Sequence, residues 1–158
     1  AMTRPGQAVS TSEHAHINVD ECGAPELRAG VKLIGLPSGD GKLLPSQVAE
    51  AAQRGVGFEH HVQPGVVSIS ESTEYGTVYT AAELAALAEG VHAHGLRLHG
   101  DGARLANAAA ALGVSLRALT VDAGVVVVSF GLTKNGAVAA EAVVVLDPWL
   151  AGPMKYIR

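Results

Sequence analysis

Short apolar blocks bounded by glycine and proline alternate along this chain with longer stretches of helical composition. Residues 7–12, 31–36, 66–70, 96–99, 125–128 and 142–146 read as strands, and Pro148 ends the last of them. Residues 46–54, 81–94 and 103–112 read as helices closed by Gly55, Gly95 and Gly113. Thr80 and Glu83 stand at capping-box spacing before the second helix. Residues 115–119 suggest one short helical turn. The segments 13–25 and 71–79 are polar, and Gly23 and Pro25 mark the first as an irregular loop.

Four consecutive valines, Val125 to Val128, need cover on both faces, which predicts an interior strand of a layered sheet. Strands alternating with helices predict an α/β fold with three layers: a mostly parallel sheet with helices on both faces. In such sheets ligands collect beyond the carboxyl ends of the strands. Two loops bring charge to that edge. Residues 96–99 lead into Asp101-Gly102-Ala103-Arg104, and the valine run leads into Ser-Phe-Gly-Leu-Thr-Lys-Asn-Gly, with Lys134 between Gly131 and Gly136. A partly desolvated lysine there acts as an amine nucleophile towards a carbonyl, and an acid presented by the adjacent crossover suits a pyridoxal phosphate site. Read alone, Lys134 is equally an ordinary solvated lysine in a glycine turn, and Asp101 a helix cap.

The 158 residues make one domain's worth of chain, and 48% hydrophobic content supplies a core. A net charge of −4 without basic blocks, and only 4% aromatic residues, point away from nucleic acid and from an anionic membrane surface. No apolar run reaches the roughly 20 residues of a membrane span. The single cysteine, Cys22, excludes an internal disulfide and suits a cytoplasmic, reducing setting, where it is expected as a small buried residue. Seven histidines raise a metal hypothesis, a hydrolase using His16, Asp20 and Glu21, but none shows the i, i+4 spacing of helical ligands. His60 and His61 are a candidate subunit contact.

Residues 99–113 and 129–138 resemble signature segments of the low-specificity L-threonine aldolases, in the β-eliminating lyase group of fold type I pyridoxal-phosphate enzymes. Residues 13–26, 40–48 and 68–84 resemble the same family in the same order, so the likeness covers nearly the whole chain. It implies pyridoxal 5'-phosphate as cofactor. Lys134 matches the lysine that forms the internal aldimine, Asp101 the acid paired with the pyridine nitrogen, and Arg104 the arginine near the phenolate oxygen and the substrate carboxylate. His16 matches the histidine stacked on the ring, and Thr73 a polar residue of the loop lining the pocket. Next to it, Glu74 stands where some members have a second histidine. The implied reaction is cleavage of a β-hydroxy-α-amino acid, threonine or allo-threonine, to glycine and an aldehyde, by a homo-oligomer. The resemblance also identifies residues 1–158 as a partial large domain, without the family's N-terminal segment and C-terminal small domain. The alternative in that case is a folded but catalytically incompetent fragment.

Overall fold

A computed structural model describes residues 2–154 together with Tyr156 and Ile157. Six strands form one sheet: β1 (Gln7–Ser12), β2 (Lys32–Leu36), β3 (Gln63–Ser70), β4 (Arg97–Asp101), β5 (Val127–Gly131) and β6 (Glu141–Val145). Their order is β2-β1-β3-β4-β5-β6, parallel throughout except for the antiparallel edge strand β6. This is the expected mostly parallel α/β sheet, and β5 is interior as the valine run required.

Alternation along the strands divides the sheet into two unlike faces. Leu36, Val67, Ile69, Leu98 and Val128 point to one face. There they meet Val48 of α3 (Pro45–Gln53), Leu84, Leu87 and Val91 of α4 (Ala81–Ala93), and Leu105 and Ala108 of α5 (Leu105–Leu112), which form the main core. The capping box at Thr80 and Glu83 starts α4 as expected: Glu83 N–H donates to Thr80 Oγ1 at 3.2 Å, and Thr80 N–H to Glu83 Oε2 at 2.7 Å. The opposite face carries a smaller apolar cluster, Val9, Val31 and Val66, near the strands' amino-terminal end. Towards the carboxyl ends that face turns polar, with Ser68, Ser70, His99, Asp101 and Ser129 in lateral register.

Three sequence expectations shift. The polar segment 13–25 contains two short helices, α1 (His16–Val19) and the start of α2 (Ala24–Ala29), with Pro25 in the first turn of α2, where its missing N–H costs nothing. Strand β5 begins at Val127. Val125 and Val126 lead into it outside the strand, their N–H groups donating to Thr120 O and Leu98 O. Pro148, expected only to end β6, opens a further helix, α6 (Pro148–Met154).

Candidate active site

The carboxyl ends of β3, β4 and β5, with α1, enclose a cavity of about 370 Å³. His16, Asp101, Arg104 and Lys134 all line it, so four of the five residues singled out in the sequence converge. Thr73 does not line it. Its side chain is buried, bonded to Thr77 Oγ1 at 2.6 Å and donating to Asp40 O at 3.3 Å. It packs against Gly41, where a Cβ would come within 2.8 Å of it. The loop instead presents Ser72 and Glu74, its neighbours on either side.

Asp101 ends β4, and its Oδ1 accepts the Ala103 N–H at 3.0 Å, which aims the carboxylate from a turn at the sheet edge. Gly102 makes that turn possible: its N–H donates to Ser129 O at 2.7 Å, and an added Cβ would meet Val128 at 2.9 Å and Ser129 O at 3.1 Å. Lys134 sits in a 3-10 turn, Thr133–Asn135, directly after β5. Two asparagines fix that turn. Asn107 of α5 donates to Lys134 O at 2.8 Å. Asn135 donates to Ala103 O at 3.2 Å and to Gly131 O, tying the lysine loop to the aspartate loop. Neither asparagine stood out in the sequence; the signal was their place at the start of a helix and beside a glycine.

Lys134 is exposed at the cavity mouth rather than desolvated. Among the described residues no hydrogen bond or ion pair holds its ammonium or the Arg104 guanidinium. Five carboxylates, of Asp20, Glu21, Glu74, Asp101 and Glu141, line the same cavity.

His16 projects from α1 with both ring nitrogens engaged, Nε2 at 2.7 Å from Glu21 and Nδ1 at 3.2 Å from Asp20. These are the three residues of the metal hypothesis. Each ring nitrogen faces a carboxylate, and among the described residues no group of three is arranged to hold a metal ion. Glu74 Oε1 accepts the His16 backbone N–H at 2.8 Å and the Ser70 hydroxyl at 2.7 Å.

Below the cavity, His99 bridges three strands: Ser68 Oγ lies 2.9 Å from Nδ1 and Ser129 Oγ 3.0 Å from Nε2. Burial pushes its pKa down, with the Asp101 charge opposing, so the imidazole is held neutral. Glu71, whose N–H donates to Asp101 O at 2.8 Å, has a carboxyl raised to about 7 by burial, against the Tyr79 N–H and Lys42. Cys22 is exposed, not buried, and lies outside the cavity. His60 and His61 line a second cavity at the other end of the sheet with Lys32 and Arg54.

Residues 1–156 match the family model described as beta-eliminating lyase. The low specificity L-threonine aldolase of a Pseudomonas species is 43% identical over 150 residues, covering 94% of this chain and 43% of that protein. The same-named protein of Pseudomonas aeruginosa is 41% identical over 157 residues, covering 99% and 45%. The solved threonine aldolase of Leishmania major superposes with a TM-score of 0.84 at 34% identity, over 98% of this chain and 46% of that one. The chain thus spans about half the length of the relatives it matches.

Proposed function

The chain belongs to the beta-eliminating lyase family, and from that membership we propose that it carries the cofactor-binding core of a pyridoxal-phosphate-dependent aldolase acting on β-hydroxy-α-amino acids. The observation that supports this most is the convergence of an unpaired amine, an unpaired guanidinium and a turn-held carboxylate in one cavity. That donor set fits the cofactor. Lys134 would hold it covalently, Asp101 would face its pyridine nitrogen, and Arg104 would take the phenolate oxygen or a substrate carboxylate. When bound, the ring supplies an electron sink for the pair left by the broken carbon–carbon bond.

The protein's own part is positioning. Asp101 is aimed by the Ala103 N–H, so its carboxylate is fixed before a ligand arrives. Asn107 and Asn135 set the reach of Lys134 from two sides. Arg104 presents a planar cation suited to a carboxylate. His16 would lie over the ligand as a flat wall, oriented by Asp20 and Glu21. The substrate is threonine or allo-threonine, the products glycine and an aldehyde.

Homo-oligomerisation is part of the proposal. It is supported by apolar exposure on the β6 edge and α6, where Val143 is 57% and Trp149 91% exposed. Sedimentation of a monodisperse monomer would count against it.

Lys134 exposed at the cavity mouth rather than desolvated favours a second reading, in which the chain folds and assembles these residues without turnover. One experiment separates the two. Pyridoxal phosphate is added to the purified chain, the product is reduced with borohydride, and peptides are mapped. A pyridoxyl label on Lys134, lost in Lys134→Ala, together with glycine release from threonine, supports the enzyme. Label without release supports the second reading. No label at Lys134 overturns the site.

A further inference from the structure

We infer that Glu74 is the carboxylate that receives the β-hydroxyl proton of the bound amino acid, an assignment that rests on the aldolase reading above. Glu74 lines the same cavity as Lys134 and Asp101. Its position is set from two elements, because Oε1 accepts from the backbone N–H of His16 in α1 and from the hydroxyl of Ser70 in β3. Its Oε2 is shielded from solvent and accepts no hydrogen bond from any described residue. A buried acceptor without a donor is unfavourable, and a donor brought by a ligand relieves it.

The other candidates in the cavity are engaged or remote. His16, the histidine the family resemblance brings forward, has Glu21 beside Nε2 and Asp20 beside Nδ1, so both ring nitrogens already face carboxylates. Asp20 and Glu21 are committed to that ring. Asp101 holds the Ala103 N–H. Glu141 stands on the exposed edge strand β6. Among these carboxylates, only Glu74 combines anchorage from two elements with an acceptor oxygen that is shielded from solvent and has no donor.

The step balances without any added oxidant or reductant. The β-hydroxyl O–H bond breaks, its proton goes to Glu74, and its electron pair becomes the second carbon–oxygen bond of the aldehyde. The Cα–Cβ bond breaks, and its pair stays on the amino-acid fragment, which takes a proton at Cα and leaves as glycine. Glu74 then returns its proton to solvent or to that carbon.

The test loads the chain, and its Glu74→Ala and Glu74→Gln variants, with pyridoxal phosphate. Each is titrated with glycine, L-threonine and L-2-aminobutyrate, which is threonine without its hydroxyl, and binding is read from the visible spectrum. The threonine and aminobutyrate affinities of each chain are taken relative to its own glycine affinity, which cancels any general change in the cavity. The expected result is a preference of the parent chain for threonine over aminobutyrate that falls about tenfold or more in Glu74→Ala. Wherever turnover is measurable, Glu74→Gln is expected to lower kcat about a hundredfold or more with little change in KM. An unchanged threonine preference in Glu74→Ala would overturn the assignment while leaving the aldolase reading intact. Failure of the parent chain to bind glycine would overturn both.

Discussion

The two walls of the cavity are built by different means. The wall from β4 and β5 is made of backbone: Gly102 is pressed against Val128 and Ser129, and Asn135 and Asn107 tie the lysine turn to the aspartate turn through carbonyl oxygens. The wall from α1 is made of side chains: half-exposed His16, Asp20 and Glu21 hold one another by charge. Backbone bonding of the first kind fixes geometry independently of salt and of most protonation. Charge pairing at the surface fixes it weakly and conditionally. The residues whose placement must not vary, Asp101 and Lys134, are on the first wall, and the one that would close over a ligand is on the second.

Removing the tie between the two turns is the severest way to break this contrast. Asn135→Ala strips the amide that donates to Gly131 O and Ala103 O, leaving part-buried carbonyls without a donor. The expected cost is about 3 kcal/mol in urea unfolding, little changed between low and high salt. A loss below about 1 kcal/mol would mean that the wall is held by packing, not by this side chain.

A somewhat smaller effect is expected from Glu71, beneath the same wall. Its carboxyl titrates near 4.5 when unfolded and at about 7 when folded, chiefly because burial disfavours the charge. Below pH 4.5 both states are neutral there. Between 4.5 and 7 the unfolded chain ionises first, so this group's contribution to stability is lost as pH rises and levels off above 7. Glu71→Gln removes that decline. Discounting the full shift for partial solvent screening, the variant gains about 2 kcal/mol on the parent between pH 4.5 and pH 8. An equal difference at both pH values would show that the carboxylate is solvated after all.

The backbone wall was the legible one. Asp101, Arg104 and Lys134 announce themselves because strand patterns place them at one edge of a parallel sheet, and topology alone then brings them together. The valine run located β5 but not its register, because an apolar run reports burial and not ladder bonding: Val125 is buried in the core without being in the strand. Segment 13–25 was read as a loop since its helices are too short to show a period, although Pro25 in a first turn and Gly30, at φ +62°, past the last were helix signals. Thr73 and Glu74 could not be told apart by sequence, because which of two adjacent residues faces a cavity depends on a turn that no pattern encodes. The ties from Asn107 to Lys134 and from Asn135 to Ala103 join residues 27 and 32 apart, contacts invisible without the fold.

The smallest effect belongs to the side-chain wall. His16→Ala removes both ion pairs, yet His16, Asp20 and Glu21 are each about half exposed, and pairs of that kind contribute only about 0.5 kcal/mol. The unfolding midpoint should therefore hardly move. What should change is the salt response of ligand binding, because in the parent chain screening releases His16 from its two acids, while in the variant nothing is left to release. Pyridoxal phosphate affinity measured at about 0.05 M and 1 M salt should thus fall more steeply for the parent than for His16→Ala, once the common screening of the cofactor's own charge is subtracted. Equal slopes would place His16 among the rigidly held residues and erase the distinction between the two walls. A large loss of stability would do the same from the other side, since it would show that α1 is fixed to the sheet through this ring rather than through Glu74.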